Sequence, residues 1–232
     1  MTDRKAQLEH NLSATRAEIE RLAAQSGRKP PQLLPVTKFH PAADISLLAD
    51  LGVTDVAENR EQEARAKAAE LPQLRFHMIG QIQTKKANHV ARWAASVHSL
   101  DSLKLAYALE RGVSLAKERG ERESNLPVFI QVSADGDGAR GGVTPDALDE
   151  VVRAVEDAQH LELAGLMVVP PLDADAGEVF RNVRGEVDRL SSELDRPLKF
   201  SAGMSADMAE AIAAGSDIVR VGTSIMGPRP VG

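Results

Sequence analysis

The chain alternates short strand-like runs with helical runs along its whole length. Eight runs rich in β-branched and other apolar residues have the length of strands, and segments with helix-like apolar spacing separate them. Pro, Ser or Asp opens the helical segments, and Gly often closes them. The predicted strands span residues 33–38, 55–59, 75–80, 96–100, 127–133, 163–169, 198–203 and 218–225.

This alternation predicts an α/β protein, folded as a single (β/α)8 barrel over residues 1–232. Strands that alternate with helices form parallel sheets, and neither end of the series is marked as an edge by charge or proline. A chain of 232 residues with 43% hydrophobic residues can fill one such core. Little sequence follows the eighth strand, so we expect the extra N-terminal helix to cover the place of a missing last helix.

Composition argues against several functional classes. The absence of cysteine removes disulfides, thiolate catalysis and cysteine-ligated metals, and the six histidines show no pairing at helical spacing, so no metal site is predicted. A net charge of −6 and few aromatic residues argue against nucleic acid as a partner. No apolar segment has the length of a membrane span and the N-terminus has no signal-peptide pattern, so we expect a soluble cytoplasmic protein that does not enter membranes.

Lys38 ends the first apolar run, and a lysine in such a place is seldom buried without a partner or a chemical role. The carboxyl ends of barrel strands form the functional mouth, so the lysine would lie there. A lysine amine kept out of water is partly neutral, and a neutral amine can attack an aldehyde to form a Schiff base. The plain alternative is a lysine that reaches out to solvent.

The seventh and eighth strands end in segments that suit a phosphate. Gly203 allows close approach of the backbone, and Ser205 is predicted to cap the next helix, which would leave N–H groups exposed. Arg220 shares a strand face with Gly222 and lies opposite the valines, so it points into the barrel and needs an acceptor. Gly222 and Thr223 add donors beside the first segment, in the region where barrels commonly bind phosphate.

Two plain interpretations remain open for these segments. The first segment could be an ordinary strand–turn–helix cap, and Arg220 could pair with an internal carboxylate such as Glu58. Together, however, the lysine, the phosphate segments and the arginine describe a clamp for a phosphorylated aldehyde. Pyridoxal 5′-phosphate (PLP) fits that description.

At these residues the sequence resembles the YggS/PROSC family of pyridoxal phosphate homeostasis proteins, over nearly the whole chain. The matching segments, in order, are PVTKFHP, VAENREQE, FHMIGQIQTKKAN, VHSLDS, LAGLMVVPP and SAGMSADMAEAIAAGSDIVRVGTSIMG. The resemblance implies the barrel of alanine racemase, a fold type III PLP-binding barrel. It also implies a protein that stores, buffers or delivers PLP, with PLP-dependent apoenzymes as partners.

Carried over by position, the family's site gives a role to named residues. The resemblance implies that Lys38 forms the internal aldimine, Asn59 lies beside the cofactor and Arg220 faces the ring nitrogen. The full set of implied cofactor-binding residues is Lys38, Asn59, Ser201, Gly203, Met204, Ser205, Arg220, Gly222 and Thr223. The sequence departs from the family pattern at Arg60, Gln81, Lys85 and Ala202, where Tyr, His, Asn and Met are usual.

A cation at the ring nitrogen disfavours ring protonation and so makes PLP a weaker electron sink. We therefore predict a monomeric, non-catalytic PLP binder. A racemase-type enzyme would need a second base, but Tyr107 is predicted to pack in the core, and His77 and His98 to be structural. A class I aldolase with a lysine Schiff base is a further alternative. The pair Lys85-Lys86 is predicted to be a solvated helix start, and the segment 133–142 to be mobile.

Overall fold

A computed structural model describes residues 3–136 and 141–229 and confirms the predicted barrel. Its strands are β1 (Gln32–Pro35), β2 (Asp55–Glu58), β3 (Arg75–Met78), β4 (Ser96–Leu100), β5 (Leu126–Val132), β6 (Leu161–Val168), β7 (Lys199–Ser201) and β8 (Ile218–Val221). All pairings are parallel, in the order β1-β8-β7-β6-β5-β4-β3-β2. A single bridge between Val36 and Ala57 joins β1 to β2, so the ring is nearly closed.

In the described part of the chain, seven α-helices fill the connections between strands, as the sequence pattern predicts, one α-helix precedes β1 and another follows β8. They are α1 (Asp3–Gln25), α2 (Ala42–Asp50), α3 (Glu61–Glu70), α4 (Ala87–Trp93), α5 (Leu103–Glu118), α6 (Pro145–Glu156), α7 (Ala176–Glu193), α8 (Met208–Ala213) and α9 (Thr223–Met226). Side-chain caps begin two of them, since Ser102 accepts from the backbone of α5 and Asp175 from that of α7.

Several strands end earlier than predicted. The runs 33–38 and 75–80 leave the sheet after Val36 and Met78, and the run 218–225 turns into α9 after Gly222. Lys38 and Gly203, which the sequence places on strands, therefore lie in the turns that follow them, whereas Arg220 stays on β8.

The N-terminal helix covers the place expected for it. A four-residue helix, α9, follows β8 where no helix was predicted, and α1 packs over it. Asn11 Nδ2 donates to the carbonyl oxygen of Ile225 at 3.0 Å, and Arg4 donates to that of Met226 at 2.9 Å. The last carbonyl groups of a helix have no partner within the helix, and α1 supplies partners for two of those in α9.

Side chains alternate along β8 as predicted. Val219 and Val221 face outward into the cluster that α1 and α2 complete, whereas Ile218 faces the barrel interior. The interior cluster also contains Leu34, Val36, Ala57, Phe129 and Met167. The barrel is therefore a packed core, and its ends are the places where ligands can enter.

A buried hydrogen-bond network holds the end of β1 against β2. The Lys67 ammonium on α3 donates to Thr37 O at 3.0 Å, to Glu58 Oε1 at 2.7 Å and to Glu63 Oε1 at 2.6 Å. The Thr37 hydroxyl also donates to Glu58 Oε1, at 2.6 Å. Burial raises the pKa of Glu58, although the bonds from Lys67 and Thr37 work against the rise.

A second polar cluster lies at the amino-terminal end of the barrel. His77 lies between Asp55 Oδ1 and Ser96 Oγ, at 2.7 Å from each. Burial raises the pKa of Asp55, but hydrogen bonds from His77 and Thr54 and the charges of His77 and Arg75 outweigh that effect and lower it to about 2. His77 thus has the structural role predicted for it.

The prediction that Tyr107 packs in the core is wrong. Its side chain is 54% exposed, whereas Leu105, Ala106, Ala108 and Leu109 are buried. Buried residues precede and follow Tyr107 in the sequence, but in the helix the tyrosine side chain lies on the opposite face, toward solvent.

Part of the segment 133–142, predicted to be mobile, lies outside the described residues, namely 137–140. Within the described ranges, no helix combines the length and the apolar character needed to cross a membrane.

We expect Lys67→Met to lower the free energy of unfolding by about 3–5 kcal/mol, because it leaves Glu58 buried without its cation. Urea denaturation followed by circular dichroism measures the change. Lys104→Met is the control, since Lys104 is exposed on α5 and has no partner among the described residues, and it should cost under about 0.5 kcal/mol. Equal stability of the two variants would contradict a bracing role for the network.

We expect Asp55→Asn to cost about 2 kcal/mol of unfolding free energy near neutral pH and little near pH 2. The folded-state pKa of Asp55 lies below its ordinary value of 3.8, so its contribution is present above about pH 4 and disappears as the pH falls to about 2. Unfolding curves across this range measure it, with Asp173→Asn, at an exposed loop position, as the control. A pH-independent difference between wild type and Asp55→Asn would refute this linkage.

Candidate functional site

Lys38 lies at the mouth, in the turn that follows β1. Its side chain is half-buried, and no described residue hydrogen-bonds or ion-pairs with its Nζ atom, which lies 6.0 Å from the centre of the Phe39 ring. Lys38 lines a cavity of about 310 Å³ together with Gly222 and Thr223. The structure therefore brings the lysine and the turn after β8 into one cavity.

Phe39 holds this turn in an unusual backbone conformation. Its φ angle is 69°, in the left-handed region that costs energy for residues other than glycine, and its N–H donates to Glu63 Oε1 at 2.7 Å. The Arg229 guanidinium carbon lies 3.3 Å from the ring centre, and that of Arg60 lies 5.1 Å away. Sequence analysis named Arg60 only as a departure from the family pattern, and it missed Arg229, because no pattern pairs a C-terminal residue with the first strand.

Asn59 follows β2 beside the mouth and carries an unsatisfied acceptor. Its Oδ1 atom is buried, and none of the described side chains or backbone groups donates to it. Its main chain packs against Gly80, where an added Cβ would lie 2.1 Å from Asn59 O. Gly80 was missed as a site residue, although its place in the FHMIG segment could have indicated it.

Arg220 points into the barrel as predicted, and its acceptors are identified. It is 4% exposed and donates to Ser201 Oγ at 2.8 Å and to Val168 O at 3.0 Å. The alternative of a pair with Glu58 is wrong, because the network of Lys67 and Thr37 takes that carboxylate. Burial lowers the pKa of Arg220 to about 10, so the guanidinium stays charged at neutral pH.

Ser201 links Arg220 to His98. Because Ser201 Oγ accepts from the guanidinium, its hydroxyl proton is available for His98 Nδ1, at 2.9 Å. His98 is 1% exposed and stacks on Phe129, with ring centres 4.2 Å apart. Burial, with the charges of His77 and Arg220, lowers the pKa of His98 well below its ordinary value, so the ring is neutral, in keeping with the structural role predicted for it.

Gly203 allows the turn after β7 to pack closely, as predicted. Its φ angle is 97°, and an added Cβ would lie 2.6 Å from Ala211 Cβ. The prediction that Ser205 caps the next helix is wrong, because a three-residue turn intervenes and Asp207 holds the cap position of α8. Asp207 Oδ1 accepts from the backbone N–H of Met204 at 2.6 Å.

The turns after β7 and β8 are joined by their side chains and backbone. Ser224 Oγ donates to Ser205 Oγ at 3.1 Å, and Arg220 N–H donates to Gly203 O at 2.9 Å. Ser205, Thr223 and Ser224 are exposed hydroxyl residues at the rim. Ser224 is a further site residue that sequence reasoning missed, although it lies within the GTS segment.

The remaining predicted residues lie around this centre. Met204 is 40% exposed and lines a neighbouring cavity of about 400 Å³ with Gln131. Lys85 is exposed as predicted, whereas Lys86 is half-buried and lies 3.6 Å from Glu61 Oε2. Over the described ranges, no group of three or more His, Asp or Glu residues could hold a metal ion.

These groups fit PLP. The Lys38 amine and the buried Asn59 oxygen have no partner among the described residues, and the amine suits an aldehyde. The hydroxyls and glycine turns after β7 and β8 suit a phosphate. Arg220 supplies a fixed cation directly beneath the turns.

Comparisons with known proteins agree with this geometry. The family model described as "Alanine racemase, N-terminal domain" matches residues 10–230. A pyridoxal phosphate homeostasis protein of Corynebacterium glutamicum is 57% identical over 201 residues, which covers 86% of this chain and 91% of the relative. Another, of Mycobacterium tuberculosis, is 44% identical over 244 residues and covers 98% of this chain and 95% of the relative.

Solved structures show the same barrel. PipY of Synechococcus elongatus, determined with PLP bound, is 32% identical with a TM-score of 0.81, over 95% of this chain and 100% of that chain. Alanine racemase of Corynebacterium glutamicum shares the fold alone, at 16% identity and a TM-score of 0.67, over 98% of this chain and 62% of that chain. The chain therefore belongs to the alanine racemase N-terminal domain family and, within it, to the pyridoxal phosphate homeostasis proteins.

Proposed function

We propose that this protein holds PLP as a Schiff base on Lys38 and acts in PLP homeostasis, as a store, buffer or carrier, without robust catalysis. The observation that carries the proposal is the Lys38 amine, which has no partner in the described ranges and shares one cavity with Gly222 and Thr223. The PLP bound to PipY supports the same assignment. PLP supplies an aldehyde for the amine and a phosphate for the opposite rim.

The turns after β7 and β8 would hold the phosphate. Gly203 and Gly222 have no Cβ to cover the backbone of the two turns, and Ser205 and Thr223 place hydroxyl groups at the rim. The bond between Ser224 and Ser205 keeps the two turns at a fixed separation. Met204 would close the side of the site next to Gln131.

Arg220 would face the pyridine ring from below, with Ser201 fixing its orientation and Asn59 beside it. A buried cation disfavours proton uptake by the ring nitrogen, and an unprotonated ring withdraws electrons weakly from a substrate carbanion. A second base would also be needed for racemisation, but Tyr107 is exposed on α5 and His77 is bonded to Asp55 and Ser96. The proposed role is therefore binding and release.

We also propose that the protein works as a monomer in the cytoplasm and delivers PLP to PLP-dependent apoenzymes. The nearly closed sheet supports a monomer, because each strand pairs within the chain. The solvent-facing mouth supports transfer, because the rim residues Ser205 and Thr223 are exposed.

We expect purified protein to turn yellow with PLP, and Lys38→Ala to lose the visible absorption band, since Lys38 supplies the amine of the proposed Schiff base. Borohydride reduction followed by peptide mass spectrometry should place the PLP mass on Lys38. Lys104→Ala, at an exposed lysine on α5, is the control and should keep the band. A colourless wild type, or an unchanged band in Lys38→Ala, would refute the proposal.

We expect Gly80→Ala to weaken PLP binding by about tenfold or more, because the new Cβ would displace the Asn59 main chain. Fluorescence or absorbance titration measures the dissociation constant. Gly185→Ala on α7 is the control, since nothing lies within 4 Å of an added Cβ there. Equal affinity of the two variants would show that Asn59 does not contact the cofactor.

Deuterium exchange at Cα distinguishes a carrier from a racemase-type enzyme. We expect a panel of amino acids to show no rapid PLP-dependent exchange with the loaded protein, because the ring is a weak electron sink and the site lacks a second base. Rapid exchange that disappears in Lys38→Ala would instead establish the racemase-type alternative. Borohydride trapping of a phosphorylated sugar, without PLP, would indicate a class I aldolase.

A further inference from the structure

A further cavity, of about 260 Å³, opens at the amino-terminal end of the barrel, opposite the mouth. We call it the lower cavity. Leu34, Phe129 and Ile218 form apolar walls, His98 lies at its inner side, and Lys199 lies at its rim. This end of a barrel ordinarily serves stability alone, so a cavity here with buried polar groups requires a separate explanation.

His98 supplies an unpaired donor to the lower cavity. Ser201 Oγ already accepts from Arg220, and among the described residues only His98 Nδ1 lies in reach of its hydroxyl hydrogen. We therefore assign Nδ1 as the acceptor of that bond, which leaves the proton of the neutral ring on Nε2. Nε2 lies on the other side of the ring from Ser201, and no group in the described part of the chain bonds to it. A side chain that is 1% exposed, lines a cavity and carries an N–H with no partner among the described residues favours an acceptor on a ligand.

The charges at the rim select the class of ligand. Lys199 has no partner among residues 3–136 and 141–229, whereas Arg75 and Arg196 are already paired with Asp55 and Glu156. Glu162 also lies at the rim and opposes a second negative charge on a ligand. A ligand with a single carboxylate near Lys199 would pair with the lysine and would add no second negative charge near Glu162.

We propose that the lower cavity binds a small planar monocarboxylate that carries a hydrogen-bond acceptor at the end opposite its carboxylate. The acceptor receives the N–H of His98 Nε2, the ring lies between Leu34, Phe129 and Ile218, and the carboxylate meets Lys199. His98 is neutral, so its N–H can bond an uncharged acceptor. The buried end of the ligand therefore does not have to carry a charge. This site is independent of the PLP site at the mouth.

The test compares isonicotinate with benzoate by calorimetric titration of the PLP-free protein. Both probes are flat monocarboxylates, but only isonicotinate carries a ring nitrogen that accepts from His98. We expect one saturable site that binds isonicotinate about tenfold more tightly, because benzoate leaves the buried N–H unpaired. In His98→Phe, which keeps a ring against Phe129, the preference should disappear.

The contribution of the Lys199 charge to carboxylate binding is tested with a matched pair of lysine variants. Lys199→Gln should weaken both probes about threefold or more, and Lys104→Gln on α5, which does not line the lower cavity, should leave both unchanged. Because Lys199 is exposed, this arm decides the question even if His98→Phe fails to fold. Absence of saturable binding by either probe, or equal affinity in the two lysine variants, would overturn the proposal. Neither result bears on PLP binding, which the spectrum of the loaded protein tests separately.

Discussion

The contact between the ends of β1 and β2 determines both how the barrel closes and where Lys38 lies. Only the bridge between Val36 and Ala57 joins the two strands, so backbone pairing alone is weak there. Lys67 reinforces the junction from α3 by bonding the Thr37 carbonyl oxygen and the Glu58 carboxylate at once. The desolvation cost of a buried ion pair offsets much of its attraction, so the pair adds little net stability. Its main effect here is to fix the position of the turn that bears Lys38.

A single buried arginine organises the barrel interior. Arg220 stays charged where water cannot solvate it, so Ser201 and Val168 must supply its acceptors. Ser201 then passes a hydrogen bond to His98, whose ring lines the lower cavity. A continuous polar chain therefore connects the group beneath the mouth with the opposite end of the barrel. In the proposed function, the cation that would face the cofactor ring would also limit the chemistry available to that ring.

Most of the fold followed from pattern, and the errors have local causes. Strand and helix periodicities identified the eight strands, and alternation along β8 placed Arg220 inside. Strand ends were predicted too late, because apolar residues continue into turns that carry the site. Ser205 was assigned as a cap from residue type, whereas Asp207 holds that position. Tyr107 was assigned to the core from its neighbours, although the helix turns it outward.

The sequence by itself determined the barrel, the strand-end lysine and the glycine turns, because these depend on local periodicity and on residue types with few conformational alternatives. Tertiary structure alone decided the partners of the buried charges. Glu58 pairs with Lys67 and not with Arg220, and Arg229 meets Phe39 from the far end of the chain. Such pairings join residues that are distant in sequence. Which donor meets which acceptor is therefore decided only in the packed barrel, where buried polar groups must find partners.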